Sequence, residues 1–369
     1  MKQLLSSCLY VAFYYLVSPV TAYAQAPADS ITNTAQHLAQ GKGLFDTDKL
    51  LEITLSGNIR ELINDRTAIP QPHPITLLYR QEDSSEIAIA AEGKTRGHFR
   101  KLKENCLYPP IAIHFTKSES LASSIFKEQE KLKLVMPCQG DEYVIREWLV
   151  YKLYNLVTPK SFRTRLVRVK LNDAKNKKTA APFYGILLED DKKMAKRNNT
   201  ISIEKKIRPD QTETDAFLKM TVFEYLIGNT DWSVQYMQNI KFVASDSNGV
   251  VTTVPYDFDH SGLVNAPYAK PAEELQMRSV QERRYRGYCV KDMKQFDASI
   301  SLFNSIKKDL YRLYADCIYL DEKYKKSTLK YLDDFYATIN NPITLQKEFG
   351  YPCDKNGTGN IVIKGLRED

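Results

Sequence analysis

Between Gly228 and Gly262 the chain reads GNTDWSVQYMQNIKFVASDSNGVVTTVPYDFDHSG, and no other stretch restricts the fold as much. A helical pattern runs into it. Thr214 stands where a cap belongs, and Phe217, Met220, Phe223 and Ile227 recur at helical spacing. Gly228 ends that helix, because glycine takes the left-handed conformation without a Cβ penalty. Asn229 and Asp231 follow in the loop. The apolar run Ile240 to Ala244 predicts a strand, Ser247-Asn248-Gly249 a tight turn, and Val250 to Tyr256 the returning strand, which ends in Asp257-Phe258-Asp259. With a three-residue turn Asn239 faces Asp257, their Cβ atoms about 5 Å apart. A two-residue turn shifts the pairing by one residue. The pattern thus sets an amide and a carboxylate at the open end of a hairpin, with a second carboxylate, Asp231, in the loop before it.

That set of groups suits phosphoryl transfer. One Asp orients or deprotonates the attacking hydroxyl, while an Asn and an Asp hold a divalent cation against phosphates. The order of helix, N-x-D loop, Asn, hairpin and Y-D-x-D resembles the catalytic half of atypical kinases, most closely the CotH-type secreted kinases and more distantly the HipA-like kinases. The resemblance implies Asp231 as the catalytic Asp, Asn239 and Asp257 as metal ligands, and ATP with Mg or Mn as cofactors. It is closest over residues 214–262, looser over 131–190, and absent before residue 90. Asn239 follows Asp231 at a longer interval than in those families, and Trp232 and Gln238 occupy a loop in which they tend to carry a histidine.

The chain has 369 residues, 43 % hydrophobic and 26 % charged, enough for one large core or two lobes. The net charge of +7, with signs mixed along the chain, favours anionic partners mildly, and no zinc-finger or RNP-like motif points to nucleic acid. Residues 1–24 read as a signal peptide: Lys2 supplies the basic end, Leu9 to Val17 the apolar run, and Ala22-Tyr23-Ala24 the cleavage pattern. Cys8 comes too early for a lipoprotein signal. No later run approaches the ~18 apolar residues of a spanning helix. The expectation is an exported protein, periplasmic or extracellular, with no membrane span after cleavage. Five cysteines then remain, so at most two disulfides form and one thiol is left over. Cys106 with Cys138 is the favoured pair, since both flank expected strands of one lobe.

Residues 25–45 read as a flexible, polar arm. From Asp46 to Asp190 the pattern is strand-rich: Leu50 to Ser56, Ile75 to Tyr79, Ile87 to Ala91, Gly97 to Arg100, Pro110 to Phe115, Lys131 to Val135, Arg165 to Leu171 and Phe183 to Leu188. A helix from Asp141 to about Leu156 carries Trp148, Leu149 and Leu153 as core positions, and Asn172 to Ala180 is a Lys-rich hairpin loop. A strand Lys followed by a helix Glu is the small-lobe arrangement of a kinase, in which the Lys grips phosphates and the Glu holds the Lys. Lys133 and Glu147 are the candidates. The alternatives are that Lys131 and Lys133 point to solvent on an edge strand and that Glu147 reaches water or pairs with another basic side chain. Under the resemblance Glu189 lies at the hinge beside the adenine, and Arg96 and Arg100 face either phosphates or solvent.

Asp191 to Asp210 reads as a charged linker. Asn265 to Pro271 takes the place of an activation segment. The basic-aromatic run Arg283 to Cys289 is a candidate for holding an acidic substrate or the γ-phosphate. Two helices, Ile300 to Cys317 and Glu322 to Ile339, close the chain with apolar rows. A calcium loop, a G-x-S-x-G hydrolase and a His-based metal site each lack their patterns.

The reading is an α+β, two-lobed protein-kinase-like fold, with a strand-rich small lobe (46–190) and a helix-rich large lobe (191–369). The implied function is an exported, metal-dependent phosphotransferase moving the γ-phosphate of ATP to a protein hydroxyl. Two other readings stay open. ATP is scarce outside the cytoplasm, which favours a catalytically inactive kinase-like interaction module. AMP transfer on the same scaffold needs only a reversed nucleotide. The oligomeric state is not legible.

Overall fold

The computed structural model describes residues 43–175 and 181–353. The expected signal peptide, most of the arm and the tip of the Lys-rich hairpin lie outside them. In chain order the elements are β1 (Leu51–Gly57), α1 (Ile59–Asn64), β2 (His73–Arg80), β3 (Glu86–Thr95), β4 (Ile111–Phe115), α2 (Glu119–Ala122), β5 (Lys131–Val135), α3 (Asp141–Val157), β6 (Thr164–Asp173) and β7 (Phe183–Leu188). The second half contains α4 (Asp191–Arg197), β8 (Ile201–Ile203), α5 (Thr214–Ile227), β9 (Ile240–Ala244), β10 (Thr252–Pro255), α6 (Asp297–Ser305), α7 (Lys307–Ala315), α8 (Glu322–Ile339) and α9 (Pro342–Phe349). The class is mixed α+β.

The strand-rich half closes on itself. Seven strands run in the order β1-β2-β3-β4-β5-β7-β6, and the parallel pairing of β1 with β6 shuts the barrel. Alternation explains the closure: Leu51, Ile53 and Leu55 point inward while Glu52 points out. The inward sets meet as one apolar cluster that includes Leu55, Leu77, Ile89, Ile111, Leu132 and Val167. Leu44 belongs to that cluster, so the end of the expected arm is packed rather than loose. A second cluster joins α3 to α5, the β10-β9-β8 sheet and the C-terminal helices through Trp148, Leu153, Phe223, Phe242, Phe258 and Phe335. Among the described residues no helix is long and apolar enough to cross a membrane.

Several expectations are corrected. Gly97 to Arg100 is not a strand: Phe99–Lys101 forms a single 3-10 turn in the β3–β4 loop. The segment 191–210 is not a linker. Asp190 caps α4 by accepting the Lys192 N–H, and β8 then pairs with β9. The cap of α5 is Glu213, whose carboxylate accepts the Ala216 N–H, and Thr214 is the first helical residue. The penultimate helix breaks at Ile306 into α6 and α7. Asn341, with Pro342 behind it, starts a further helix, α9. Cys106–Cys138 and Cys289–Cys353 are disulfides, and Cys317 is a buried thiol.

Candidate active site

Gly228 ends α5 with φ of 68°, and a Cβ there would lie 2.2 Å from the Tyr331 hydroxyl oxygen. The turn therefore suits only glycine, and it sends the chain directly into Asn229 and Asp231. The Asn229 side-chain oxygen accepts the Asp231 N–H at 3.0 Å, so the helix end fixes the start of the loop. At the far end of the loop the hairpin runs with Pro255 opposite Ile240, and the Tyr256 N–H donates to the Asn239 carbonyl. Asn239 thus opposes Tyr256, the one-residue shift of a two-residue turn, and the Gly249 N–H donates to the Asp246 carbonyl at 3.2 Å across Ser247-Asn248. The two side chains still reach one site. Asn239 (φ 50°) and Asp257 (φ 62°) both sit in the left-handed region, which Asn and Asp tolerate best among residues with a Cβ. Such backbone strain persists only where the surroundings fix it. Here the Tyr151 hydroxyl of α3 accepts the Asp257 N–H at 2.9 Å.

These residues meet in a cavity of about 290 Å³. Arg96, His98, Phe99 and Arg100 of the β3–β4 loop cover it, Lys133 enters from β5, and Asp231, Gln238, Asn239, Tyr256, Asp257, Asp259 and His260 form its other walls. Lys133 is 9 % exposed, and its ammonium bonds the Asp257 carboxylate at 3.0 Å. Burial by itself would raise Asp257. Lys133, then Arg100, outweigh it and hold the carboxyl at about 2. Asp231 goes the other way. Burial pushes it above the usual carboxylate range against the pull of His260, and the nearby Asp259 and Asp257 add to the push. The Asp231 carboxylate accepts from Gln238 and, at 3.0 Å, from the Asn239 amide.

The expected Lys133–Glu147 pair does not form. Arg100 intervenes from the covering loop, and its guanidinium contacts Glu147 at 3.4 Å and Asp259 at 3.5 Å. All three are buried, and an Arg offers enough donors to serve both carboxylates. Burial still pushes Glu147 up to about 7 despite Arg100, with Asp259 and Asp257 contributing. Arg100 is therefore closed to solvent, its guanidinium held between two carboxylates at the cavity wall. Glu189 lies off the cavity, held by the Arg197 fork at 2.9 and 3.0 Å and by the Arg163 N–H at 2.9 Å, which leaves its side chain committed to protein partners. The basic-aromatic run is structural. Arg283 lies 3.5 Å over the Tyr331 ring, Arg284 bonds the Tyr351 hydroxyl at 2.8 Å, and Arg286 reaches the Trp232 carbonyl at 3.1 Å. Gln238, Asp259 and His260 are among the cavity residues that sequence reasoning did not assign. Proximity to Asn239 and Asp257 was their one signal.

Among the described residues no group of three or more His, Cys, Asp or Glu side chains is placed to hold a metal ion. The donors present fit a hard divalent cation of another kind, one bound by one or two protein oxygens and completed by phosphates and water. Asp257 offers a carboxylate that stays ionised. The Asn239 NH₂ donates to the Asp231 carbonyl at 2.7 Å and to its carboxylate, which turns the amide oxygen of Asn239 away from Asp231.

No protein-family model matches the chain, and no curated protein matches it. Among solved structures it is similar to a Helicobacter pylori proinflammatory kinase, CtkA, at 13 % identity and a TM-score of 0.40, over 67 % of this chain and 92 % of that one. Likeness at that level leaves family and activity to be argued from the site.

Proposed function

We propose that the chain is a two-lobed, kinase-like phosphotransferase that uses a divalent cation, Mg²⁺ or Mn²⁺, and moves the γ-phosphate of ATP to a protein hydroxyl. The observation carrying this reading is the meeting, in one cavity, of a buried Lys on a barrel strand with Asp231, Asn239 and Asp257 from the helix–loop–hairpin segment. Asp257 and Asn239 would hold the cation, which when bound neutralises charge on the phosphates. Lys133 supplies the point charge that grips them, and Arg96 adds a second at the mouth. Asp231, with its raised proton affinity, accepts the proton of the attacking hydroxyl as the new O–P bond to the γ-phosphorus forms and the bond from that phosphorus to the β,γ-bridging oxygen breaks, releasing ADP. Gln238 and Asn239 hold that carboxylate in place. Export, and with it a periplasmic or extracellular substrate, remains part of the proposal on the strength of residues 1–24.

The full chain incubated with Mg²⁺, a generic protein acceptor and ATP labelled at either the γ- or the α-phosphate tests the reaction. Label retained on protein from γ-ATP alone is the expected result. Label from α-ATP would show AMP transfer instead. No label from either, with nucleotide still bound, would support the inactive interaction module.

A further inference from the structure

Asp231 is held from outside its own segment. Thr230, Asp231 and Trp232 present three successive carbonyls, and side chains take all three. The Asn239 amide takes the carbonyl of Asp231 at 2.7 Å. One terminal nitrogen of Arg286 takes both flanking carbonyls, Thr230 and, at 3.1 Å, Trp232. The same guanidinium lies 5.7 Å from the centre of the Trp232 ring, and that ring is buried against Phe217 of α5. Arg286 is more than 50 residues away in sequence, in the segment that Cys289 ties to Cys353. The Thr230 and Asp231 carbonyls lie in the two peptide planes that adjoin Asp231, so Arg286 holds one plane, Asn239 holds the other, and the Trp232 contact braces the next. This fixes the direction of the Asp231 Cα–Cβ bond and leaves little beyond side-chain rotation to set where the carboxylate stands.

We propose, resting on the phosphotransferase reading, that Arg286 is a positioning residue for Asp231. Its two carbonyl contacts aim the Asp231 carboxylate at the acceptor hydroxyl, and it touches neither nucleotide nor acceptor. A group that acts only on the aim of a base changes kcat and leaves substrate binding alone. A displacement of about 1 Å is enough to cost ~10²-fold.

The test uses the full chain with Arg286→Gln and Arg286→Lys. Steady-state kinetics with Mg-ATP give kcat and KM, and hydrogen exchange read by mass spectrometry follows residues 229–239. Arg286→Gln is expected to lower kcat by ~10²-fold with KM for ATP within about twofold, and Arg286→Lys, which keeps the charge without the planar fork, by roughly tenfold. In both variants exchange over 229–239 rises while the barrel strands stay protected. If Arg286→Gln does not fold, Arg286→Lys decides alone. A reduced kcat at unchanged KM and unchanged melting temperature carries the proposal, and wild-type kcat overturns it. A wild-type chain with no metal-dependent nucleotide binding would count against the parent reading. The exchange measurement then still judges the clamp, and unchanged exchange over 229–239 would overturn it.

Discussion

Asp231→Ala is expected to lower phosphoryl transfer by ~10²- to 10⁴-fold, the range for loss of a positioned general base, and to leave Mg-ATP affinity within a few-fold of wild type. Asp231 sits beside Asn239 and Asp257, the proposed cation ligands, and is not proposed as one. Its carboxylate is held by Gln238 and Asn239, and burial has raised its proton affinity above that of an ordinary Asp. The fold should tolerate the change. Asp231, Gln238 and Asn239 are each partly open to solvent, so the two amides lose a protein acceptor that water replaces. Rapid-quench measurement of a single turnover separates the chemical step from binding. A wild-type rate in that assay would remove Asp231 from the mechanism.

Arg100→Met is expected to destabilise the chain by ~3–5 kcal/mol, the cost of leaving a buried ion-pair network without its cation. Glu147 has no exposed surface and Asp259 almost none, and Arg100 is the cation between them. The loss should depend on pH. Glu147 already takes its proton at about 7 in the folded chain, above its unfolded value. A raised carboxyl favours the folded state at low pH, and that advantage is lost as pH rises through the folded value. Without Arg100 the proton affinity rises further, so the variant should be penalised less at pH 5, where Glu147 can be neutral, than at pH 8. Urea unfolding at the two pH values reads both quantities. Destabilisation under ~1 kcal/mol at pH 8 would mean that Arg100 does not hold the network together.

The parts of the fold that follow local rules were legible. Strand alternation located β1, β5 and β7 closely, and helical spacing followed by Gly228 located α5 to its last residue. The closure of the barrel was not, because β1 pairs with β6 more than a hundred residues later and no local pattern encodes that contact. The segment 191–210 misled because its charges cover a short helix whose buried residues are only Met194 and Ala195. In the site, Asp231, Asn239 and Asp257 were found from the helix end and hairpin pattern and Lys133 from the small-lobe arrangement of a kinase, and the structure brings all four to one cavity. Glu147 was found but given the wrong partner. Arg100 lies in a loop with no periodicity, so nothing in the sequence said that its guanidinium enters the core between two carboxylates. Arg286 stood in a run read as a candidate for holding an acidic substrate or the γ-phosphate, because nothing local shows that a guanidinium there serves the Thr230 and Trp232 carbonyls.

Thermal stability of the full chain with ATP alone, with Mg²⁺ alone and with both, in wild type and in Asp257→Ala, tests the central claim most directly. Ligand at about 100 times its Kd adds roughly 2.7 kcal/mol to the folded state. A rise that needs ATP and Mg²⁺ together in wild type, and that disappears in Asp257→Ala, is the predicted result. No rise under any of the three conditions, or a rise of the same size in Asp257→Ala, would contradict a metal–nucleotide site in this cavity.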